Sequence, residues 1–276
     1  MPSQAEKALA FRELHAGNRA FIMPNPFDVG TARLLAAHGF AALATSSAAL
    51  AFMLGKPDGA GAVSRAEGIA HVRTIVEATE LPVNGDLENG YGDAPEEVAR
   101  TVREAIDAGA AGCSIEDATG RKDRPLYGIE EAAARIAAAK QAAAGNPFVV
   151  TARAECFLVG APDPLAESIR RLRAYEAAGA DVLYAPGLAT AEQVRAVVSA
   201  VGKPVNVLAG FGAPPLSVAE LSALGVKRIS LGSWPHRAAI GAFVTAAREM
   251  RDFGTFGFVA SAATKGDLAP AAQGTP

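Results

Sequence analysis

Four times along the chain the same phrase of polar and apolar positions returns. An alanine-rich amphipathic stretch ends at a glycine, and a short, almost wholly apolar run follows. The phrase reads LLAAHGFAALAT around Gly39, EAIDAGAAGCSI around Gly109, YEAAGADVLY around Gly179 and LSALGVKRISL around Gly225. A glycine in that place supplies the left-handed residue that closes a helix, so the run after it is predicted to be a strand. The runs do not alternate. A strand covered on both faces needs no alternation, which points to a parallel sheet buried between helices.

Extended along the chain, this reading predicts strands near 22–24, 41–45, 82–86, 112–116, 148–153, 182–185, 205–208 and 228–231. Helical patterns fill most gaps, among them 64–79, 95–107, 129–143 and 164–177. Ser64 with Glu67 three residues on forms a capping box, and Asp163 before Pro164 pairs a good cap with a proline in the first turn. About eight strand–helix units in about 250 residues is the arithmetic of an α/β fold of the (β/α)8 TIM-barrel type. A doubly wound sheet is the alternative, but it carries fewer strands per length. Residues 1–260 are expected to form a single barrel domain, and the small, polar, proline-bearing stretch 261–276 a flexible tail.

Composition narrows the function classes. Half of the 276 residues are hydrophobic and 20% charged, which excludes global disorder. A chain of this mass buries roughly 73% of its unfolded surface and needs no staples. The net charge of −3 leaves no basic footprint for nucleic acid. Cys113 and Cys156 are too few for a disulfide scaffold and read as small buried residues. The first residues carry charges where a signal peptide needs an apolar core, and no run is long enough to span a membrane. A cytoplasmic protein is expected.

A barrel places its active site at the C-terminal ends of its strands. The polar residues falling there are Thr45, Ser46 and Ser47; Asp86 and Glu88; Glu116 and Asp117; Arg153 and Glu155; and Asn206. Asp86, Glu88 and Glu116 are acids from adjacent strands aimed at one mouth, and they repel one another unless a cation neutralises them. Oxygen ligands without clustered Cys or His suit Mg²⁺, or Mn²⁺, rather than zinc. Arg153 follows an apolar run and needs an acidic partner, either Glu116 or Glu155; it also suits a bidentate clamp on a substrate carboxylate. Ser46 and Ser47 offer hydroxyls and backbone N–H groups to an oxyanion. His15, His38 and His71 fall in helical patterns, whereas His236, at the start of the last long helix, has the mouth within reach. No Ser–His–Asp order and no phosphate-binding glycine motif is present.

The ordered set NPFDVGTARLLAAHGF, ATSSAAL, LGKPDG, GDLENGYGD, SIEDATG and VTARAE, over roughly residues 12–240, resembles the isocitrate lyase/phosphoenolpyruvate mutase superfamily. Its D-x-D-x-G-Y-G pattern falls on Asp86, Glu88, Gly90, Tyr91 and Gly92, with Glu in place of the second Asp. The resemblance implies Mg²⁺ on Asp86, Glu88 and Glu116, some through water. It also implies an α-oxo acid whose carboxylate reaches Ser46 and Ser47, with Arg153 alongside, and a catalytic acid at Asp58; Thr45, Asp86 and Asn206, from the strand-end residues, complete the expected substrate contacts. It further implies a homo-oligomer, a dimer or a tetramer, with the last helix swapped onto a neighbouring barrel.

Departures from the superfamily narrow the chemistry. The isocitrate and methylisocitrate lyases carry K-[KR]-C-G-H after strand four, where this chain has TGRKDRPLYG with neither Cys nor His. Their glutamate after strand six is replaced near Tyr184, Ala185 and Pro186. Phosphonomutases use a lysine and an asparagine on that loop; Arg121, Lys122 and Asp123 supply the charge but not the asparagine. The implied function is a Mg²⁺-dependent carbon–carbon lyase acting on an α-oxo or 2-hydroxy carboxylic acid through a pyruvate-type enolate. Oxaloacetate decarboxylation and malate- or methylisocitrate-type cleavage are the forms it takes. The alternatives are a P–C bond enzyme and a barrel that only binds an oxo acid.

Overall fold

The structure, a computed structural model, describes residues 2–272. A first helix, α1 (Gln4–Ala16), precedes β1 (Phe21–Met23). Then α2 (Val29–Ala37), β2 (Leu43–Ala44), α3 (Ser47–Met53), α4 (Arg65–Ala78) and β3 (Val83–Asp86) follow. The middle of the chain runs α5 (Pro95–Asp107), β4 (Gly112–Glu116), α6 (Ile129–Ala142), β5 (Val149–Arg153), α7 (Pro164–Ala177) and β6 (Val182–Tyr184). It closes with α8 (Ala191–Ala200), β7 (Val205–Leu208), α9 (Val218–Ala223), β8 (Arg228–Ser230), α10 (Trp234–Phe253), a short 3-10 helix at Gly257–Ser261 and α11 (Lys265–Ala272).

All eight strands are parallel, in the order β1-β8-β7-β6-β5-β4-β3-β2. Between β1 and β2 the seam is held by Ala44 N–H donating to the Pro24 carbonyl at 3.0 Å and Asn25 Nδ2 donating to the Thr45 carbonyl at 2.8 Å. The result is a (β/α)8 TIM barrel. The four repeated glycines all take positive φ, 80° to 97°, as a helix-closing residue must. The Ser64 capping box and the Asp163 cap are both present.

The main core fills the shell between strands and helices, and a second apolar cluster closes the barrel's N-terminal end. There Ala8 and Phe11 of α1 pack on Met23, Ala42, Val149 and Val182. Gly112 lets them in, because a Cβ on it would lie 3.0 Å from the Phe11 ring. With that end plugged, the opposite end is left for chemistry. Where a loose tail was expected from 261, the described part contains α11, whose Ala271 carbonyl accepts from Arg33 Nη1 of α2 at 3.2 Å. Residues 273–276 of that expected tail lie outside the described residues. No helix among the described residues is long and apolar enough to cross a membrane.

Candidate active site

Strand register builds the site. Glu116 is paired with Arg153 across β4 and β5, Arg153 with Tyr184 across β5 and β6, and Asp86 with Ser114 across β3 and β4. Three charged residues and a tyrosine therefore emerge side by side at strand C-termini. They line a cavity of about 650 Å³, together with Ser46, Ser47, Asp58, Glu88 and Glu155. Asp58 comes from the loop after β2, and Arg121 and Lys122 from the loop after β4. The two loops approach at the mouth, where a Cβ on Gly120 would lie 3.2 Å from the Gly59 carbonyl.

Arg153 is the hub. Its Nη1 donates to Asp86 Oδ1 at 2.9 Å, its Nε to Glu155 Oε1 at 2.9 Å, and its Nη2 lies 3.3 Å from Glu116 Oε2. Both partners expected for it from the sequence are thus present. Its guanidinium also lies 5.0 Å from the centre of the Tyr184 ring. Burial works against the Arg153 charge, but the Glu155, Glu116 and Asp86 carboxylates outweigh it and hold its pKa well above the ordinary value.

Asp86 is held from the other side by the Ser47 N–H and hydroxyl, both at 2.9 Å from Oδ2, and by Ser114 Oγ at 3.2 Å from Oδ1. Glu88 takes φ +48°, a strained value for a residue with a side chain, and the strain is fixed by its carbonyl accepting from Glu116 N–H at 2.9 Å. The loop beyond it is anchored by buried Arg135, which donates to the carbonyls of Asn89, Gly92 and Asp93.

One positive charge does not balance the acids. Burial first, then the Asp86 and Asp58 charges, push the Glu88 carboxyl up to about 7. Burial and Asp86 raise Asp58, and burial raises Glu116 despite Arg153. Such a cluster is short of positive charge. Yet among the described residues no three His, Cys, Asp or Glu side chains stand as a ready-made metal cage. The trio shares one cavity with Arg153 between two of its members. The donor set therefore fits an ion that keeps much of its water and takes few protein oxygens, the habit of Mg²⁺.

Other residues named from the sequence fall elsewhere. Asn206 is fully buried beneath the cavity, its amide donating to Ser230 Oγ and its carbonyl accepting from Arg228 Nε, both at 2.9 Å. Thr45 does not line the cavity; its hydroxyl accepts from Asp86 N–H at 2.8 Å and sets the acid's height. Ser46 lines the cavity while its hydroxyl caps α3 through Ala49 N–H at 3.3 Å. Asp117 faces away, bonded to Arg171, Tyr175 and the Glu155 N–H. His236, in the first turn of α10, packs between Phe27 and Phe52, outside the cavity. Both cysteines are free and buried; burial pushes Cys156 up to about 11 and Cys113 higher.

Glu155 was expected at the rim as a partner of Arg153 but was given no substrate, metal or catalytic role, and Tyr184 was not among the expected site residues. Glu155 was legible: two residues after Arg153, it lies on the same side of an extended chain.

Acids and an arginine gathered at the C-terminal rim of a parallel barrel form the frame of an enzyme site. Residues 11–251 match the model of the phosphoenolpyruvate phosphomutase family, and the chain belongs to it and to the wider isocitrate lyase/phosphoenolpyruvate mutase superfamily. A Burkholderia cenocepacia J2315 crystal structure assigned provisionally as a lyase/mutase is 53% identical, with a TM-score of 0.92 over 96% of this chain and 95% of that one. The oxaloacetate decarboxylase of Ectopseudomonas mendocina is 34% identical over 90% of this chain and 86% of its own length. A 2,3-dimethylmalate lyase structure is 28% identical, with a TM-score of 0.85 over 99% of this chain and 95% of that one. The chain is an enzyme of the carbon–carbon lyase class.

Proposed function

We propose that this enzyme cleaves an α-oxo acid at a bond made by C3, the carbon adjacent to the oxo-bearing C2, with decarboxylation of an oxaloacetate-type diacid as its reaction. The observation that carries this reading is the cavity floor, where Arg153 stands among three carboxylates and no histidine or cysteine lines the walls. Decarboxylation suits such a site. The C3–C4 bond breaks, carbon dioxide leaves without needing a proton, and the electron pair stays behind as the enolate of pyruvate. A proton then adds to C3.

Asp86, Glu88 and Glu116 would hold Mg²⁺, whose chemistry here is Lewis-acid stabilisation of negative charge on oxygen. Arg153 binds and orients the oxo acid and offers N–H groups to the oxygen on which charge develops. Ser46 and Ser47 bind its carboxylate; Ser47 exchanges Asp86 for the substrate on binding. Asp58, raised above an ordinary aspartate and facing the cavity, holds the proton for C3. The family resemblance and the names of the relatives support the substrate class. Phe243, Phe253 and Phe256, exposed along α10 and just beyond it, support assembly into a homo-oligomer with α10 against a neighbour.

The test is a panel of oxaloacetate and phosphonopyruvate with Mg²⁺. Pyruvate from the first without phosphate from the second is expected. Phosphate release from the second would establish P–C chemistry instead.

A further inference from the structure

The cavity has a charged floor, but one wall is apolar. Leu158 and Val159, on the turn after β5, and Leu208, at the end of β7, face the same space as Arg153 and Glu155. Leu158 is 49% exposed, an unusual setting for a leucine whose neighbours in the chain are buried or half-buried. Nor is it a loose surface residue. The Leu158 and Val159 N–H groups both donate to the Glu155 carbonyl, at 2.9 and 3.0 Å, and the Ala161 N–H to the Cys156 carbonyl at 2.9 Å. Behind the turn, Gly187 at φ +99° leaves room for Phe157 and Leu158: a Cβ there would lie 2.6 Å from Phe157 Cβ and 3.7 Å from Leu158 Cδ2. The backbone carbonyl of Glu155, two residues after Arg153, thus fixes the leucine in place.

An ordered apolar surface facing a polar cavity is covered favourably only by something apolar. The volume of about 650 Å³ leaves room for it, lying inside the range of roughly 300–1,000 Å³ that accommodates drug-sized ligands. We propose that Leu158, with Val159 and Leu208, forms a seat for an alkyl group on C3 of the substrate, so that the preferred acid is a 3-alkyl 2-oxo diacid rather than oxaloacetate itself. This rests on the lyase reading above. The side chain of Leu158 sets specificity and takes no part in bond breaking.

The test compares kcat/KM for 3-methyloxaloacetate and oxaloacetate, followed by carbon dioxide release, in the wild type and in Leu158→Asn and Leu158→Ala. Intrinsic reactivity is the same for every variant and cancels when the ratios are compared. One methyl in an apolar pocket is worth roughly tenfold or more. The wild type is expected to prefer the methylated acid, and Leu158→Asn to lower that preference by roughly tenfold, Leu158→Ala by less. A preference unchanged by Leu158→Asn, or a wild type that favours oxaloacetate, overturns the seat and leaves the lyase reading standing. Turnover of neither acid by the wild type overturns both.

Discussion

Glu116 and Arg153 are register partners on adjacent strands, and their side chains meet again above the sheet with Nη2 3.3 Å from Oε2. The ladder that builds the barrel therefore also delivers the counter-charge to the acid at its rim. This pairing makes Arg153 serve two ends at once. It contacts Asp86, Glu116 and Glu155 and offsets part of their charge, and it lines the cavity. Arg153→Ala is expected to lower kcat/KM by roughly 10²–10³. It is also expected to cost about 3–5 kcal/mol of stability, since buried Glu155 and the half-buried Asp86 and Glu116 lose their partner. Steady-state kinetics and urea unfolding read the two effects separately.

Asp117, next in the chain to Glu116, provides the contrast. Its carboxylate is buried against Arg171 at 2.9 Å and Tyr175 at 2.5 Å, on the far side of the strand from the cavity. Asp117→Asn is expected to lose about 3–5 kcal/mol of stability while kcat of the folded enzyme stays within about twofold. A large fall in kcat at full folding would place Asp117 in the chemistry.

Removal of divalent ions with EDTA is expected to reduce turnover more than about a hundredfold, with recovery on adding Mg²⁺ or Mn²⁺. In the wild type, Mg²⁺ alone is expected to raise the melting temperature, because an ion bound only by the folded state stabilises it. Asp86→Asn should lose that rise. An equal rise in both proteins would put the ion elsewhere.

At the plugged end of the barrel, burial first and the Arg228 charge second push the His15 imidazole down to about 3. In the unfolded chain the ring binds a proton near 6.5. Between these values the unfolded state holds the extra proton, so stability falls as pH drops from about 6.5 towards 3, by up to about 1.4 kcal/mol per pH unit. Above that window His15 adds no pH dependence. His15→Gln is expected to flatten the dependence in urea unfolding at pH 7, 6 and 5.

Gly68 lies within α4, where an alanine ordinarily stabilises a helix by about 1 kcal/mol. Here a Cβ would collide with the Tyr91 hydroxyl, and Tyr91 sits at φ +59° in the loop that carries Glu88. Gly68→Ala is expected to destabilise by roughly 1–3 kcal/mol and to lower kcat. Thermal unfolding decides the sign.

The barrel was legible because buried parallel strands need unbroken apolar runs; the expected limits of β4 and β7 match those observed. The strand ends that carry Asp86, Glu116 and Arg153 could be read the same way, since the rim of a barrel follows from where each run stops. Depth was legible only in part. Asn206 is the second residue of β7, so its place below the floor follows from the expected strand limits, whereas no sequence signal set Thr45, which supports Asp86 from behind, apart from a residue facing the cavity. Helix α11 was hidden by its small residues, although Thr264 and Asp267, which exchange cap bonds at 2.9 and 3.2 Å, were a readable start.

The most direct measurement is pyruvate formation from oxaloacetate by the purified enzyme with Mg²⁺, compared with Arg153→Ala under the same conditions. Pyruvate and carbon dioxide in equal amounts from the wild type, with a loss of at least about a hundredfold in the variant, is the expected result. Equal rates for the two proteins would contradict a role for the arginine at the cavity floor.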